Sequence, residues 1–152
     1  MLKIKDVLQS KSSAIWSLEP DDTAYEAIEL MAEKDIGALL VIDGETVVGI
    51  FSERDYARKV AVKGRSSQDT PVKELMTTDL YCINSDKNVE ECMALMTKAH
   101  IRHMPVYDNK ILAGIVTFGD IVNAVIVDQK VKIQDLETYI KGCEAVDFDD
   151  NL

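Results

Sequence analysis

Two short segments of the chain combine a hydroxyl, a carboxylate and the predicted start of a helix. Ser52 stands three residues before Asp55, and Thr117 stands three residues before Asp120, each pair directly after an apolar run. The first N–H groups and the positive dipole end of such a helix attract anions, and a carboxylate there can accept hydrogen bonds from sugar hydroxyls. The segments could therefore hold a nucleotide. The same spacing also describes an ordinary helix N-cap with an acidic first turn, so the motif alone leaves both interpretations open.

The two segments are part of an internal duplication. Residues 21–62 reappear without a gap as residues 86–127, an offset of 86 − 21 = 65 positions, and apolar positions align with apolar positions almost throughout. This period is longer than the repeat of a solenoid, and two copies do not make an array. The duplication predicts two similar small units with related clefts, which is typical of a binding module.

Each copy has the pattern of a β-α-β-β-α unit. Strands are predicted at residues 14–18, 38–42 and 46–51 of the first copy and at residues 80–83, 104–107 and 111–116 of the second. The first helix of each copy opens with a capping box, Thr23 with Glu26 in one and Asn88 with Glu91 in the other. The second helices start at the two hydroxyl–carboxylate segments, so the predicted elements place both segments at a strand-to-helix junction.

The repeats give predicted boundaries for the whole chain. The first repeat is placed at 1–64, a polar linker at 65–72, the second repeat at 73–128, and a C-terminal helix with an acidic tail at 129–152. Helical periodicity beyond the second repeat ends at Gly142, a predicted C-cap. The first copy has no counterpart of this helix. The apolar stripe of the C-terminal helix could therefore pack on its own unit or on a second subunit.

Composition limits the class of partner and the cell compartment. The net charge of −10 argues against an extended nucleic-acid or anionic-membrane surface, although it is compatible with a small cluster of Arg and His at one pocket. The three cysteines form no CxxC pair and are expected to be free thiols in a reducing compartment. No signal segment and no run of about 18 apolar residues is found, so we expect a cytoplasmic protein with no membrane partner.

The duplicated Gly-x-x-Ser/Thr-x-x-Asp motif at 49–55 and 114–120, within the duplicated β-α-β-β-α order, resembles a tandem pair of CBS domains, the regulatory repeat named after cystathionine β-synthase. The segment 104–108, Met-Pro-Val-Tyr-Asp, is similar to a second motif of that family. The resemblance covers about residues 2–127. It implies an α/β (α+β) fold of two repeats packed with pseudo-twofold symmetry, here followed by an extended C-terminal helix.

The resemblance also implies a function. Members of the family bind AMP, ADP, ATP, S-adenosylmethionine or NAD-type compounds in clefts between the repeats, as regulatory ligands and not as required cofactors. AMP or ATP is the ligand expected here. The chain would then be a stand-alone regulatory module that signals to an unknown effector protein by a change in repeat or subunit orientation, and it would form a homodimer.

The resemblance assigns roles to individual residues. It places ribose hydroxyls on Asp120 and Asp55 and the phosphate end beside Thr117 and Ser52. The adenine ring would lie against the isoleucines that precede the two central strands, Ile101 and Ile36.

The copies differ where charge matters. Arg102 and His103 precede the central strand of the second copy, at a place where family members often contact phosphate, whereas Gly37 and Ala38 stand there in the first copy. Beside a phosphate, His103 is expected to be partly protonated, because the unperturbed pKa of histidine lies near 6.5. Arg54, inside the first motif, could supply a cation to the first site. We therefore expect the Thr117/Asp120 site to be the one that binds phosphate.

Other functions are weaker alternatives. His100 and His103 could share a metal ion, but no third ligand lies near them in sequence, so no metal site is expected. The sequence shows no nucleophile with an adjacent base and no paired acid and base, so an enzyme is not expected. A ligand-free dimerisation or interaction protein that retains the fold remains the main alternative.

Overall fold

The computed structural model describes residues 1–11 and 14–144, and for residues 141–144 it describes the backbone. Contacts divide the chain into two compact units. The first-repeat unit is Ala14–Cys82, and the second-repeat unit combines the described residues of Met1–Ser13 with those of Ile83–Leu152. The predicted boundaries at 64 and 73 follow the repeats in chain order and stay a prediction. The contacts group the N-terminal segment with the second repeat.

Within each repeat the strands and helices follow the predicted β-α-β-β-α order, and a helix before the first repeat and a 3₁₀ helix before the second are additional. In sequence they are α1 (Ile4–Gln9), β1 (Ser17–Leu18), α2 (Ala24–Lys34), β2 (Ala38–Asp43), β3 (Thr46–Ser52), α3 (Glu53–Asp55), a π-helical segment (Tyr56–Ala61), a 3₁₀ helix (Val72–Glu74), β4 (Ile83–Asn84), α4 (Val89–Ala99), β5 (His103–Asp108), β6 (Ile111–Thr117) and α5 (Phe118–Glu144). The α/β class, the two repeated units and the long C-terminal helix are thereby confirmed.

Each unit contains a three-stranded sheet with the same topology. In the order β1-β2-β3 the first pair is parallel and the second antiparallel, and β4-β5-β6 repeats this arrangement. Both antiparallel pairs carry an irregularity in register, at Val41/Ile42 and at Val106/Tyr107. The duplication therefore extends to a local defect in the ladder, and the central strand of each sheet runs into a hairpin of matching shape.

The capping boxes act as the sequence predicts. The Thr23 hydroxyl accepts a hydrogen bond from the Glu26 N–H, and the Glu26 carboxylate accepts one from the Thr23 N–H. The resulting α2 buries Ala27 and Met31 against Leu39 and the other core residues of its sheet. α4 starts in the same way, so in both units one helix covers one face of the sheet and fixes the end of the central strand.

α1 completes the second-repeat unit. Ile4 and Val7 are buried in its core, and the Ile4 N–H donates to the Lys87 carbonyl at 2.9 Å. The corresponding place in the first-repeat unit is taken by the 3₁₀ helix, whose Val72 N–H donates to the Asp22 carbonyl at 2.7 Å. Part of the predicted linker is therefore docked on the first repeat.

Several predicted boundaries were wrong. β1 and β4 are two residues long each, shorter than predicted, and β4 starts at the last residue of its predicted range. The helix after Ser52 turns from α to π geometry at Tyr56. The predicted C-cap at Gly142 is also wrong, since the helical backbone of α5 continues through that glycine to Glu144. The predicted acidic tail from 147 onward lies outside the described residues. Within the described ranges, no helix combines the length and the apolarity needed to cross a bilayer.

Candidate functional site

The two signature segments form matching corners between a strand and a helix. Ser52 has an extended backbone, φ −114°, and its hydroxyl accepts a hydrogen bond from the Asp55 N–H at 3.1 Å. The Asp55 carboxylate in turn accepts from the Ser52 N–H at 3.0 Å. Thr117 and Asp120 exchange the same two bonds, at 3.0 and 2.9 Å. Both corners are thus reciprocal helix caps, the structural role that the spacing alone also predicted.

The second-repeat corner gathers several residues that sequence reasoning singled out. His103 lies opposite Thr117 in the register of β5 and β6. The Phe118 N–H donates to the Arg102 carbonyl at 2.8 Å, which holds the start of α5 beside the residue that precedes β5. Arg102 is exposed and His103 half-buried, and the charges of Asp120 and Arg102 both act on the His103 imidazole.

Lys11 is the residue of this corner that the sequence did not reveal. Its Nζ lies 2.6 Å from Asp120 Oδ2 and donates a second hydrogen bond, of 2.9 Å, to the Ile115 carbonyl. About a quarter of each side chain of the pair is exposed. Lys11 follows α1, and the packing of that helix on the second repeat brings Lys11 next to Asp120, 109 positions later in the sequence. The only sequence signal was its place in a stretch of the first copy that has no counterpart in the second.

The first-repeat corner has its lysine in a different place. Lys59, one turn after Asp55, lies 3.1 Å from Asp55 Oδ1 and also donates to the Leu75 carbonyl at 2.7 Å. The hydroxyl of Thr77 approaches the same carboxylate at 3.4 Å. The residue at the equivalent position of the second copy is Ala124 (59 + 65 = 124). Each signature aspartate is therefore paired with one lysine, supplied locally in one unit and by a distant segment in the other.

The other predicted residues of the first repeat bring little charge to their corner. The Glu53 N–H donates to the Gly37 carbonyl at 3.0 Å, and Ala38 lies opposite Ser52, so this part repeats the backbone geometry of the second repeat without its side chains. Arg54 is exposed. Ile36 is half-buried and packs against the core of its unit, as Ile101 does in the other.

The pKa values of Asp120 and His103 are both lowered at the second-repeat corner, against the effect of burial for Asp120 and in the same direction as burial for His103. Burial by itself raises the pKa of Asp120, but the hydrogen bonds from Lys11 and from the Thr117 backbone outweigh it, and the net pKa is lowered. Burial lowers the pKa of His103, and the positive charges of Lys11 and Arg102 add to this, with Asp120 opposing. Burial therefore favours the neutral form of His103 in the ligand-free protein, and its partial protonation beside a phosphate stays a prediction.

Cavities adjoin both corners. A cavity of about 410 Å³ lies between α1 and α5, and Lys11 and Asp120 are among the residues that line it. A second cavity, of about 310 Å³, lies beside Ile36, Gly37 and Glu53 in the first-repeat unit. Each cavity is large enough for part of a small organic molecule, and each reaches residues of the corner in its own unit.

The thiols and possible metal ligands complete the description. Burial raises the pKa of Cys92 to about 11, so its thiol stays protonated at neutral pH. Cys82 is exposed, and both are free. Among the described residues, no three His, Cys, Asp or Glu side chains come close enough together to hold a metal ion, and His100 ends α4 in a left-handed backbone conformation.

Known proteins share this architecture. A protein with CBS domains from Burkholderia ambifaria is 45% identical, with a TM-score of 0.81 over 84% of this chain and 96% of that chain. The mitochondrial CBS domain-containing protein CBSX3 of Arabidopsis thaliana is 38% identical over 91% of this chain and 72% of its own length. Because that relative is mitochondrial by name, the cytoplasmic location of the present chain stays a prediction.

A more distant likeness concerns the fold alone. A CBS domain pair solved in complex with 5′-methylthioadenosine and S-adenosyl-L-methionine is 24% identical to this chain, with a TM-score of 0.73 over 84% of it.

The sequence model of the CBS-domain family matches this chain twice, at residues 4–62 and 72–127. Both matches include a signature corner, its central strand and the helix that covers it, so the chain belongs to the CBS-domain family as a tandem pair of repeats.

Proposed function

We propose that this chain is a regulatory module that binds an adenosine nucleotide, AMP or ATP, at the second-repeat corner and transmits occupancy to an effector protein. The observation that carries the proposal is the set of groups around Asp120. One ionised carboxylate, able to accept hydrogen bonds from a ribose, is paired with Lys11; the charges of both act on His103, as does that of the exposed Arg102. A sugar bearing a phosphate is the kind of ligand that needs both charges within a few ångströms.

The phosphate would be bound by side chains more than by the helix N-terminus. The N–H groups of Phe118 and Asp120 already donate to the Arg102 carbonyl and the Thr117 hydroxyl. This uses part of the donor set that the sequence suggested for an anion. Lys11, whose Nζ is shared between Asp120 and the Ile115 carbonyl, can instead exchange one of these acceptors for a phosphate oxygen.

The remaining predicted residues take lesser parts in the proposal. Ile101 and Ile36, half-buried at the starts of the central strands, would supply apolar contact for an adenine ring. The corner of Ser52 and Asp55 would take a ligand with less charge, because Gly37 and Ala38, its counterparts of Arg102 and His103, are uncharged. Arg54 would contribute only by reorientation of an exposed side chain. No catalysis, no required cofactor and no metal form part of the proposal.

A second candidate function has an observation of its own in its favour. In both corners the cap residues satisfy each other, and a lysine neutralises each carboxylate. A corner that is complete without a ligand is what a pure dimerisation or interaction protein would retain. The two candidates differ in one respect, whether an adenosine compound can displace these internal contacts.

Thermal denaturation distinguishes them. Purified protein, shown free of bound nucleotide, is melted with AMP, ADP, ATP, S-adenosylmethionine, NAD or adenosine, with GMP as the control. A ligand at about a hundred times its Kd adds roughly 2.7 kcal/mol, which is a rise on the order of 5–10 °C for a chain of this size. A rise with an adenosine compound and not with GMP supports the nucleotide module, whereas no rise with any compound supports the interaction protein.

Matched variants locate the site. Asp120→Asn should remove most of the response, because the carboxylate that accepts from the ribose is lost. The equivalent change in the other repeat, Asp55→Asn, is the control and should leave the response to AMP in place. If Asp55→Asn abolishes the response and Asp120→Asn does not, the nucleotide binds at the first-repeat corner and our assignment is wrong.

A further inference from the structure

The described side chains in the C-terminal half of α5 lie on the protein surface. Near its start Ile121 is fully buried, and Ala124 and Val125 pack against the same core. From position 129 to position 140 every side chain is exposed. The helix spans 27 residues, a length of about 40 Å at 1.5 Å per residue. An isolated helical segment of about 15 residues is marginal in water, so the exposed half needs a partner to be stable.

The exposed half carries a seven-residue apolar repeat. Ile126, Ile133 and Ile140 recur at this interval, and Leu136 follows Ile133 by three positions. Their exposed fractions are 48%, 54%, 42% and 61%. In heptad terms the isoleucines occupy position a, and Leu136 occupies position d. At about 100° per residue, the seam lies about 60–140° around the helix from the buried Ile121, so it adjoins the face that packs on the core without coinciding with it.

The residues of the seam indicate a two-stranded parallel arrangement. In parallel coiled coils, β-branched isoleucine at a with leucine at d favours two strands. Gln129 occupies the preceding d position. In a parallel pair in register, each layer faces its own copy, and the two Gln129 amides can hydrogen-bond to each other. In an antiparallel pair that sets Ile133 against Leu136, Gln129 would face Ile140, and burial of an amide against a hydrocarbon is unfavourable.

The flanking charges favour the same partner. Lys132 occupies position g and Glu137 the following position e, five residues later. In a parallel coil in register, position g of one helix faces this position e of the other, so Lys132 meets Glu137 of the second copy, twice by symmetry. Within one helix these two residues lie on different sides, about 140° apart, and Lys132 contacts Asp128 instead, at 3.1 Å.

We infer that α5 pairs with α5 of a second copy of this chain, in parallel and in register, through the seam of Ile126, Ile133, Leu136 and Ile140. The homodimer is part of the function that the family resemblance implies, and the inference adds the surface and the orientation. It depends on α5 alone and does not require that the second-repeat corner bind a nucleotide. Failure of the ligand tests would leave it unchanged.

Sedimentation of the full chain tests the seam. At tens of micromolar the wild-type protein should have twice the monomer mass of 16.9 kDa. Leu136→Asp and Ile133→Asp should each raise the dissociation constant of the dimer at least tenfold. The thermal unfolding of the folded units should stay as in the wild type. The matched control is Val131→Asp, an equally apolar position of the same helix, 49% exposed and on another side. A monomeric wild type, or a Leu136→Asp variant that dimerises like wild type, overturns the inference.

A charge exchange tests the orientation. Lys132→Glu alone places two like-charge pairs in the parallel dimer and should weaken it roughly tenfold at low salt. The double variant Lys132→Glu/Glu137→Lys restores both pairs only if position g of one chain faces position e of the other. Recovery of wild-type dimerisation supports the parallel register. A double variant as weak as the single one shows that α5 contacts another surface or runs antiparallel, and the proposed register is then wrong.

Discussion

Replacement of Lys11 by methionine tests whether the second-repeat corner is held together by charge. The change keeps most of the side-chain length and removes the ammonium that lies 2.6 Å from Asp120 Oδ2. Hydrogen bonds to charged groups contribute roughly 1.5–3 kcal/mol, and exposed ion pairs roughly 0.2–1 kcal/mol. With about a quarter of each side chain exposed, this pair lies between the two cases. We expect a coupling of about 1 kcal/mol between Lys11 and Asp120 in the free energy of unfolding.

The assay is a double-mutant cycle of Lys11→Met and Asp120→Asn, measured by urea denaturation at pH 7. Each single change should lower the free energy of unfolding by about 1–2 kcal/mol, and the double variant should lose less than the sum of the two. Lys59→Met with Asp55→Asn is the matched cycle in the other repeat. Its coupling should be smaller, because the Lys59 side chain is 41% exposed and its contact is 3.1 Å long.

The pH dependence gives a second readout of the same pair. The folded-state pKa of Asp120 is lowered from 3.8, so the carboxylate stabilises the fold above pH 3.8 and this contribution is lost as pH falls through the folded value. Lys11→Met removes the hydrogen bond that lowers the pKa, and the loss should then begin at a higher pH. Strictly additive single changes together with an unaltered acid transition would refute the reasoning.

Three further predictions concern other sites. If His103 contacts phosphate, AMP should bind more tightly as pH falls from 7.5 to 5.5, because phosphate favours the imidazolium that burial disfavours. Titration calorimetry measures this gain. His103→Gln should lack it, and that variant corrects for protonation of AMP itself. Cys82 should react with a disulfide reagent at pH 8 and Cys92, with its pKa near 11, only after unfolding. Gly49→Ala should lower the free energy of unfolding in urea by about 1–3 kcal/mol, and Gly114→Ala should lower it less. The new Cβ would lie 2.7 Å from a side-chain carbon of Met76 in the first case and 3.1 Å from one of Leu8 in the second.

Features set by local chemistry could be predicted from the sequence. The capping boxes that begin α2 and α4, the hairpins between paired strands and the hydroxyl–carboxylate corners each depend on residues a few positions apart. Duplication strengthened every one of these predictions, because the same pattern had to make sense twice. The fold class and the place of both corners followed directly.

Features set by contacts between distant segments could not be predicted in this way. Nothing in residues 1–11 indicates which repeat α1 packs against. The apolar residues of α1 are of a type that could pack at the equivalent place in either repeat. The pairing of Lys11 with Asp120 depends on that choice. The short β1 and the π-helical segment after α3 are likewise decided by packing, and their local sequences read as a longer strand and a regular helix.

The different sources of the two lysines give the corners different relations to the rest of the chain. Lys59 belongs to the helical segment that its own corner begins, so the geometry of that corner is local. Lys11 reaches Asp120 only while α1 is docked on the second repeat through Ile4 and Val7. A ligand that uses Lys11 therefore binds more tightly when α1 is docked. By linkage, the ligand stabilises the docked helix by the same free energy.

Amide hydrogen exchange makes this linkage measurable. The Ile4 and Lys5 N–H groups donate to the Lys87 and Ser85 carbonyls, both at 2.9 Å, and they exchange only when α1 leaves the repeat. Saturating AMP should slow exchange at these two amides roughly tenfold in the wild type, if phosphate contributes about 1.4 kcal/mol through Lys11. In Lys11→Met the slowing should disappear while other amides of the repeat stay protected. Equal slowing in both proteins would mean that the nucleotide binds without Lys11, and that the Lys11–Asp120 pair is a structural contact only.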